Sequence, residues 1–338
     1  MNKSNSNTLK PLARRFAVVL LLTSLSAGGF AQFPLGGQAT NGAQAVPSPQ
    51  TNTGETPLFR AEQLMLTGSY AAASDVFQMA DGLDRNEGIV GASKAYAMMG
   101  NYVEAIRICE SAIEDGDYAS KPLISTQLAE VKRAIGLSGE ALEILRMLVD
   151  ELFEPPVRSL VQYGSLLKFV GQRDAAYEVL DRAVQRYNDG LVFASEDVAM
   201  VALASWLMGS FHDANSLFNE ATRSNPNNLE AHVLWGDLFL EKYNAADAER
   251  SYQDALDINS RYTGALVGIA NVVGDERALQ RALAINPNSV PAMETYGQLL
   301  LANGRDDEAQ DYFSKVLALN PESLKTLSIL ASQAALEE

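Results

Sequence analysis

The sequence has few of the residues that build disulfides, metal sites and nucleic-acid interfaces. Its 338 residues include one cysteine and two histidines, which exclude an internal disulfide and leave little material for a histidine-rich zinc site. Lysine and arginine number 26 against 42 aspartate and glutamate, a formal net charge of −16. Nucleic acids and anionic membranes attract basic patches, so neither is an expected partner. Hydrophobic residues make up 47%, which excludes disorder throughout the chain.

Catalytic motifs are absent as well. The glycines stand singly and form neither a phosphate-cradling loop nor a nucleophile elbow. Cys109 occupies a position that is aromatic in sister segments, which favours a buried thiol over a nucleophile. His212 and His232 are twenty residues apart without the context of a metal site. We therefore predict a chain that is not an enzyme, with no catalytic residue, cofactor or metal.

The N-terminus has the three parts of an export signal. Basic residues within the first 15 positions precede an apolar run from Phe16 to Leu25, and small residues lead to Ala31. A membrane anchor needs about 20 apolar residues, and this run is shorter. We predict a signal peptide over 1–31, cleavage after Ala31 and a periplasmic or secreted protein without stable membrane insertion. An uncleaved anchor is the alternative. Residues 32–56 are rich in Gly, Pro, Gln, Asn, Ser and Thr, and are predicted to be a flexible linker.

The rest of the sequence repeats one pattern. A turn glycine is followed by an alanine, a bulky residue four positions later and usually a second alanine, as in Gly68, Ala73, Phe77 and Ala80. The first five turn glycines are spaced by 32, 36, 35 and 38 residues: Gly68, Gly100, Gly136, Gly171 and Gly209. Small residues allow close approach of two helices, and glycine adopts the positive φ that ends a helix. The pattern predicts stacked pairs of helices.

The stretch from Trp235 to Phe239, with Ala248, Tyr252 and Ala255, resembles the tetratricopeptide repeat family, whose period is about 34 residues. The resemblance implies an all-α fold, a right-handed superhelix of about eight helix-turn-helix units over 57–323. The unit at 263–287 is short, which predicts a local change of curvature. Residues 324–338 are predicted to form a terminal helix, either a cap or the start of a further repeat, and its apolar outer side suggests self-association.

A narrower resemblance covers residues 236–244 with Ala248 and Tyr252, which are similar to repeats of exported bacterial proteins that precede a zinc metallopeptidase-like domain. It implies an alternative function, the repeat region of such a protein. The chain lacks the two histidines, one helical turn apart with an intervening glutamate, that the peptidase needs, so its catalytic domain would be absent.

The leading hypothesis is an exported scaffold that binds a protein or peptide in the concave groove of the superhelix. First helices line that groove, and apolar residues gather there in the C-terminal half. The residues predicted to contact a partner are Arg133, Lys168, Leu203, Trp206, Val233, Asp237 and Leu240. The acidic chain favours a partner with basic residues beside its apolar contacts. Only Lys168 and Arg133 approximate the family's clamp for a terminal carboxylate.

Overall fold

A computed structural model of the protein describes residues 55–113 and 117–337, which contain 17 α-helices and no strand. The helices are α1 Pro57–Leu66, α2 Tyr70–Phe77, α3 Arg85–Met98, α4 Tyr102–Glu110, α5 Pro122–Ala134, α6 Ser138–Glu151, α7 Val157–Phe169, α8 Arg173–Asn188, α9 Ser195–Leu207, α10 Phe211–Ser224, α11 Leu229–Glu241, α12 Ala245–Ile258, α13 Thr263–Val273, α14 Glu276–Ile285, α15 Val290–Ala302, α16 Asp306–Leu319 and α17 Leu324–Glu337. A 3₁₀ turn at Gly82–Asp84 precedes α3. The predicted signal peptide and all but the last two residues of the predicted linker lie outside the described residues.

The helices form eight consecutive pairs, here called units 1 to 8, followed by α17. Unit 1 is α1 with α2, and unit 8 is α15 with α16. The first helix of every unit contacts the first helix of the next, from α1 through α15. Each second helix contacts its own first helix and the first helix that follows. The first helices therefore form a continuous inner layer, and the predicted fold class, an all-α solenoid of about eight units, is confirmed.

Glycines in first helices admit the bulky residues of second helices. A Cβ atom added at Gly236 would lie 2.5 Å from the ring of Tyr252, and one at Gly268 would lie 2.4 Å from the same ring. Tyr252 is fully buried between these two first helices. The same relation joins Gly297 to Phe313 in unit 8. The aromatic residues of the repeat are therefore the wedges that hold neighbouring pairs together.

Each of the eight connections inside a unit has a residue with positive φ. Gly68, Gly100, Gly136, Gly171, Gly209, Gly274 and Gly304 adopt this conformation in seven of the eight units. Unit 6 is the exception, because Tyr243 has a φ of 59° at the equivalent position. A side chain in this region costs about 1–2 kcal/mol relative to glycine. The side chain of Tyr243 is also almost completely exposed, so packing does not offset the strain.

Unit 7 is the short unit that the sequence indicated. Its helices have 11 and 10 residues and are joined by Gly274 and Asp275 alone. The side chain of Asp275 accepts hydrogen bonds from the backbone N–H groups of Arg277 and Ala278, which cap α14. No described helix has the length and apolar character required to cross a membrane.

The solenoid stacks on itself after one superhelical turn. We use "turn edge" for the connections inside units and "loop edge" for the connections between units. The loop after unit 6 meets the turn of unit 1: Asn259 Nδ2 donates to the Met65 carbonyl at 3.0 Å, and Arg261 Nε donates to the Gly68 carbonyl at 3.1 Å. The hydroxyl of Tyr70 donates to the Arg261 carbonyl.

The same contact recurs in the next units. Asn286 Nδ2 donates to the Ala97 carbonyl at 3.1 Å, and Asn288 Nδ2 donates to the Gly100 carbonyl at 2.9 Å. In unit 3, a Cβ atom at Gly136 would lie 2.4 Å from Asn320 Oδ1. Three successive turns thus receive three successive loops. The bonded residues are 188 to 194 positions apart, so one superhelical turn takes between five and six units.

Candidate functional site

The inner layer encloses a cavity of about 780 Å³ on the side of units 1 to 6. First helices of units 1 to 6 line it, and their charged residues there include Glu62, Lys94 and Arg158. Tyr262, in the loop after unit 6, also lines the cavity.

An ion-pair network includes Arg158 in the wall of the cavity. Both terminal nitrogens of Arg158 on α7 donate to the carboxylate of Glu230 on α11, at 2.9 and 2.5 Å, and Glu130 on α5 lies 3.6 Å away. Burial opposes the Arg158 charge, but the two carboxylates outweigh it and hold its pKa above its usual range. Burial and the nearby Arg158 charge lower the pKa of Lys94. The inner layer is therefore wound tightly enough for units 4 and 6 to pair directly.

Four carboxylates also line the cavity. Glu62, Glu87, Glu196 and Asp197 all face it. Burial raises the pKa of Glu62, and repulsion from Glu87 and Glu196 raises it further. Burial also raises the pKa of Asp197. A cationic group entering the cavity would relieve this repulsion.

A second depression, of about 470 Å³, lies where the inner helices of units 4 to 6 end. Lys168, Leu203, Trp206 and Glu241 line it. The indole N–H of Trp206 donates to Glu241 at 2.7 Å, and Lys168 Nζ donates to the Leu207 carbonyl at 2.5 Å. These bonds hold the indole N–H of Trp206 and the amino group of Lys168 in place at the rim. The side chains of Leu203 and Trp206 remain partly exposed. The depression thus combines an apolar floor with both signs of charge.

The structure brings together three of the seven residues predicted to bind a partner, Lys168, Leu203 and Trp206. Three others lie on the next first helix, where Val233 and Leu240 are half-buried beside α12 and α13. The fully buried Tyr252 donates its hydroxyl to Asp237 at 2.6 Å, so this carboxylate already has a partner. The last, Arg133, is exposed near the end of α5, outside both concavities.

Arg158 and Glu230 were missed by the sequence analysis. Both are the second residue of a first helix, whereas the predicted groove residues lie in the middle and at the end of such helices. The available signal was charge: an arginine and a glutamate at equivalent positions of units 4 and 6. Their pairing could be recognised only once the winding of the solenoid was known.

The residues considered for chemistry are packed or solvated. Cys109 is fully buried, and burial raises the pKa of its thiol to about 11. His232 is buried with Nε2 at 3.0 Å from the Pro226 carbonyl, and His212 is exposed at the start of α10. In the part of the chain that the structure describes, no three His, Cys, Asp or Glu residues are grouped as metal ligands would be.

Comparison with protein families matches residues 201–262 and 276–331 to models described as "Tetratricopeptide repeat". Together these segments cover about a third of the chain, and in them the predicted resemblance is confirmed. Neither model is a peptidase model, so the resemblance to peptidase-associated repeats stays a prediction. Repeats of this kind are typical of non-catalytic proteins that bind other proteins.

A comparison with curated proteins found no match. Among solved structures, the chain is similar to the "Crystal structure of APC/C hetero-tetramer Cut9-Hcn1", with 11% sequence identity and a TM-score of 0.48. The match covers 82% of this chain and 55% of the other, so the chain spans about half the length of that protein.

Proposed function

We propose that the chain is an exported, non-catalytic scaffold of the tetratricopeptide type, and that it binds a segment of another protein at the depression of units 4 to 6. The observation that carries the proposal is the convergence of Lys168, Leu203 and Trp206 at one concavity. A half-exposed tryptophan with a fixed indole is the kind of side chain that dominates binding energy at interfaces. The resemblance of both matched segments to protein-binding repeats supports the same conclusion.

The charge of the chain favours a partner with basic residues. Glu241 lies at the rim of the depression, and acidic residues outnumber basic ones by 42 to 26 over the whole sequence. Lysines or arginines that flank the apolar contact of the partner would be attracted by these carboxylates, and association would slow as salt screens them.

Photo-crosslinking tests this site. A photoreactive residue at position 206 should capture a protein from the extracytoplasmic fraction, whereas the same residue at position 177, which is exposed on α8, should not. With the captured partner purified, Trp206→Ala and Leu203→Asp should weaken binding at least tenfold without loss of helicity. Wild-type affinity of both variants would refute the site.

The proposed location rests on the N-terminal sequence pattern. N-terminal sequencing of the protein from the periplasm or the medium should begin near Gln32, directly after Ala31. Recovery of the uncleaved chain from the cytosol would contradict export, and the proposal that the repeats bind a protein would be tested separately.

A further inference from the structure

The cavity enclosed by units 1 to 6 reaches the loop edge of the solenoid. Pro156, Leu191 and Asn227, in the loops after units 3, 4 and 5, all line it. The side chain of Leu191 is 59% exposed although it belongs to the cavity wall. A small molecule can therefore enter the cavity between these loops.

Three carboxylates of the cavity wall have no cation bonded to them. Glu62, Glu87 and Glu196 lie on the first helices of units 1, 2 and 5, and none of them forms an ion pair with a described residue. Burial and repulsion from the other two carboxylates raise the pKa of Glu62. The wall therefore holds negative charges that repel one another.

The cations of the cavity wall do not balance these charges. Arg158 is paired with Glu230, and Arg186 donates to the backbone carbonyl at position 155. Both arginines also attract Asp197, the fourth carboxylate of the wall, and oppose the rise of its pKa. Among the described residues that line the cavity, Lys94 is the remaining cation, and its single charge balances one carboxylate at most.

The carboxylates of the wall do not converge on one point. Among the described residues, no three acidic, histidine or cysteine side chains are close enough together to hold a metal ion. Apolar side chains lie in the same wall, among them Leu58, Val90 and Met98. Separated negative charges in a partly apolar wall match a cation whose charges are separated by methylene groups, whereas calcium needs oxygen ligands that converge.

A buried amide in the same wall has an acceptor to spare. Gln127, on the first helix of unit 3, lines the cavity and is 3% exposed. Its Nε2 donates to Ser93 Oγ at 3.4 Å, while its Oε1 accepts no hydrogen bond from a described residue. Buried polar atoms are nearly always bonded, so this oxygen indicates a missing donor. The long bond to Ser93 leaves the amide free to turn toward a donor inside the cavity.

We propose that the cavity binds a linear aliphatic polyamine, a molecule whose ammonium groups are separated by short runs of methylene groups. The ammonium groups pair with Glu62, Glu87 and Glu196, the methylene groups contact the apolar side chains, and one N–H group donates to Gln127. The volume of about 780 Å³ lies in the range of small-molecule sites. The site is separate from the depression at Trp206, so the inference does not depend on partner binding there.

Isothermal titration calorimetry of the full chain at about 0.15 M salt tests the proposal. The probes are spermidine with three ammonium groups, 1,4-diaminobutane with two, and 1,4-butanediol with none. Spermidine should bind at one site per chain, 1,4-diaminobutane about tenfold more weakly, and 1,4-butanediol not at all. Calcium chloride at the concentration of spermidine should not displace it.

Two pairs of substitutions locate the site. Glu62→Gln with Glu196→Gln should weaken spermidine binding about tenfold or more, and should raise the melting temperature of the ligand-free protein because neutral amides do not repel one another. The control, Glu178→Gln with Glu249→Gln, removes the same two charges from exposed positions on α8 and α12 and should bind spermidine as the parent does.

Each remaining outcome would overturn the proposal. Absence of spermidine binding to the parent, or displacement of spermidine by calcium, would exclude a polyamine site. Equal loss of binding in both pairs would mean that spermidine is attracted by the acidic chain as a whole. A lower melting temperature of Glu62→Gln with Glu196→Gln would contradict the repulsion between the carboxylates. Trp206→Ala should bind spermidine as the parent does, so failure at either site leaves the other unaffected.

Discussion

The turn edges of units 1 to 3 and of units 4 and 5 have the same backbone and different surroundings. Gly100 and Gly171 both have positive φ, at 76° and 84°. A buried asparagine from the second superhelical turn lies against Gly100, while Gly171 has open space around it. At Gly100, glycine is required both by the positive φ and by the close contact with Asn286. At Gly171, it is required by the positive φ alone. Turn glycines that look identical in the repeat therefore have different roles.

The largest difference is expected when each glycine is replaced by alanine. Gly171→Ala should destabilise the protein by about 1–2 kcal/mol, the cost of positive φ in a residue with a side chain. Gly100→Ala should cost about 3 kcal/mol or more, because the added methyl group also displaces Asn286. Urea unfolding followed by circular dichroism measures both. Equal losses would mean that the two superhelical turns are not in contact.

Removal of the asparagine side chain should have a smaller effect. Asn286→Ala loses the hydrogen bonds to the Ala97 carbonyl and the Tyr102 hydroxyl, at a cost of about 1–2 kcal/mol. The control is Asn225→Ala. It removes the hydrogen bond that Asn225 accepts from the backbone N–H of Asn227 in its own loop, and an exposed hydrogen bond to Glu196. It should cost about half as much or less. The same urea titration compares the two, and a larger loss for Asn225→Ala would reverse the assignment.

The smallest effect concerns the one turn without glycine. Tyr243→Gly should stabilise an isolated chain by about 0.5–1 kcal/mol, because relief of positive φ exceeds the entropy that glycine gains in the unfolded chain. The melting temperature of a dilute, monomeric sample measures it. A lower melting temperature would show that the tyrosine makes a stabilising contact within the chain.

Features that depend on neighbouring residues could be predicted from the sequence. The pairing of helices, the turn glycines and the short unit 7 follow from the spacing of Gly, Ala and aromatic residues, which acts within one or two units. The cluster of Lys168, Leu203 and Trp206 was also within reach, since all three lie on the same face of adjacent first helices. Local periodicity was sufficient for these features.

The stacking of superhelical turns could not be predicted in this way. It depends on small rotations between units that add up over more than five repeats, and no residue encodes that sum. The sequence around Asn259 and Asn286 indicates only that each residue ends a second helix. The pairing of Arg158 with Glu230 has the same origin. These sites exist because the winding is tight, and the winding emerges only from the assembled fold.

The bonds between Asn286 and unit 2 also bear on how the protein unfolds. Helical repeat arrays behave as one-dimensional chains of nearest neighbours, in which terminal repeats fray independently. Here the loop after unit 7 contacts a turn 189 residues earlier in the chain. Loss of one terminal region removes contacts from the other, so the two termini are coupled as in a globular domain. Such non-local contacts raise the contact order, and they make cooperative, slower folding the expected behaviour of this array.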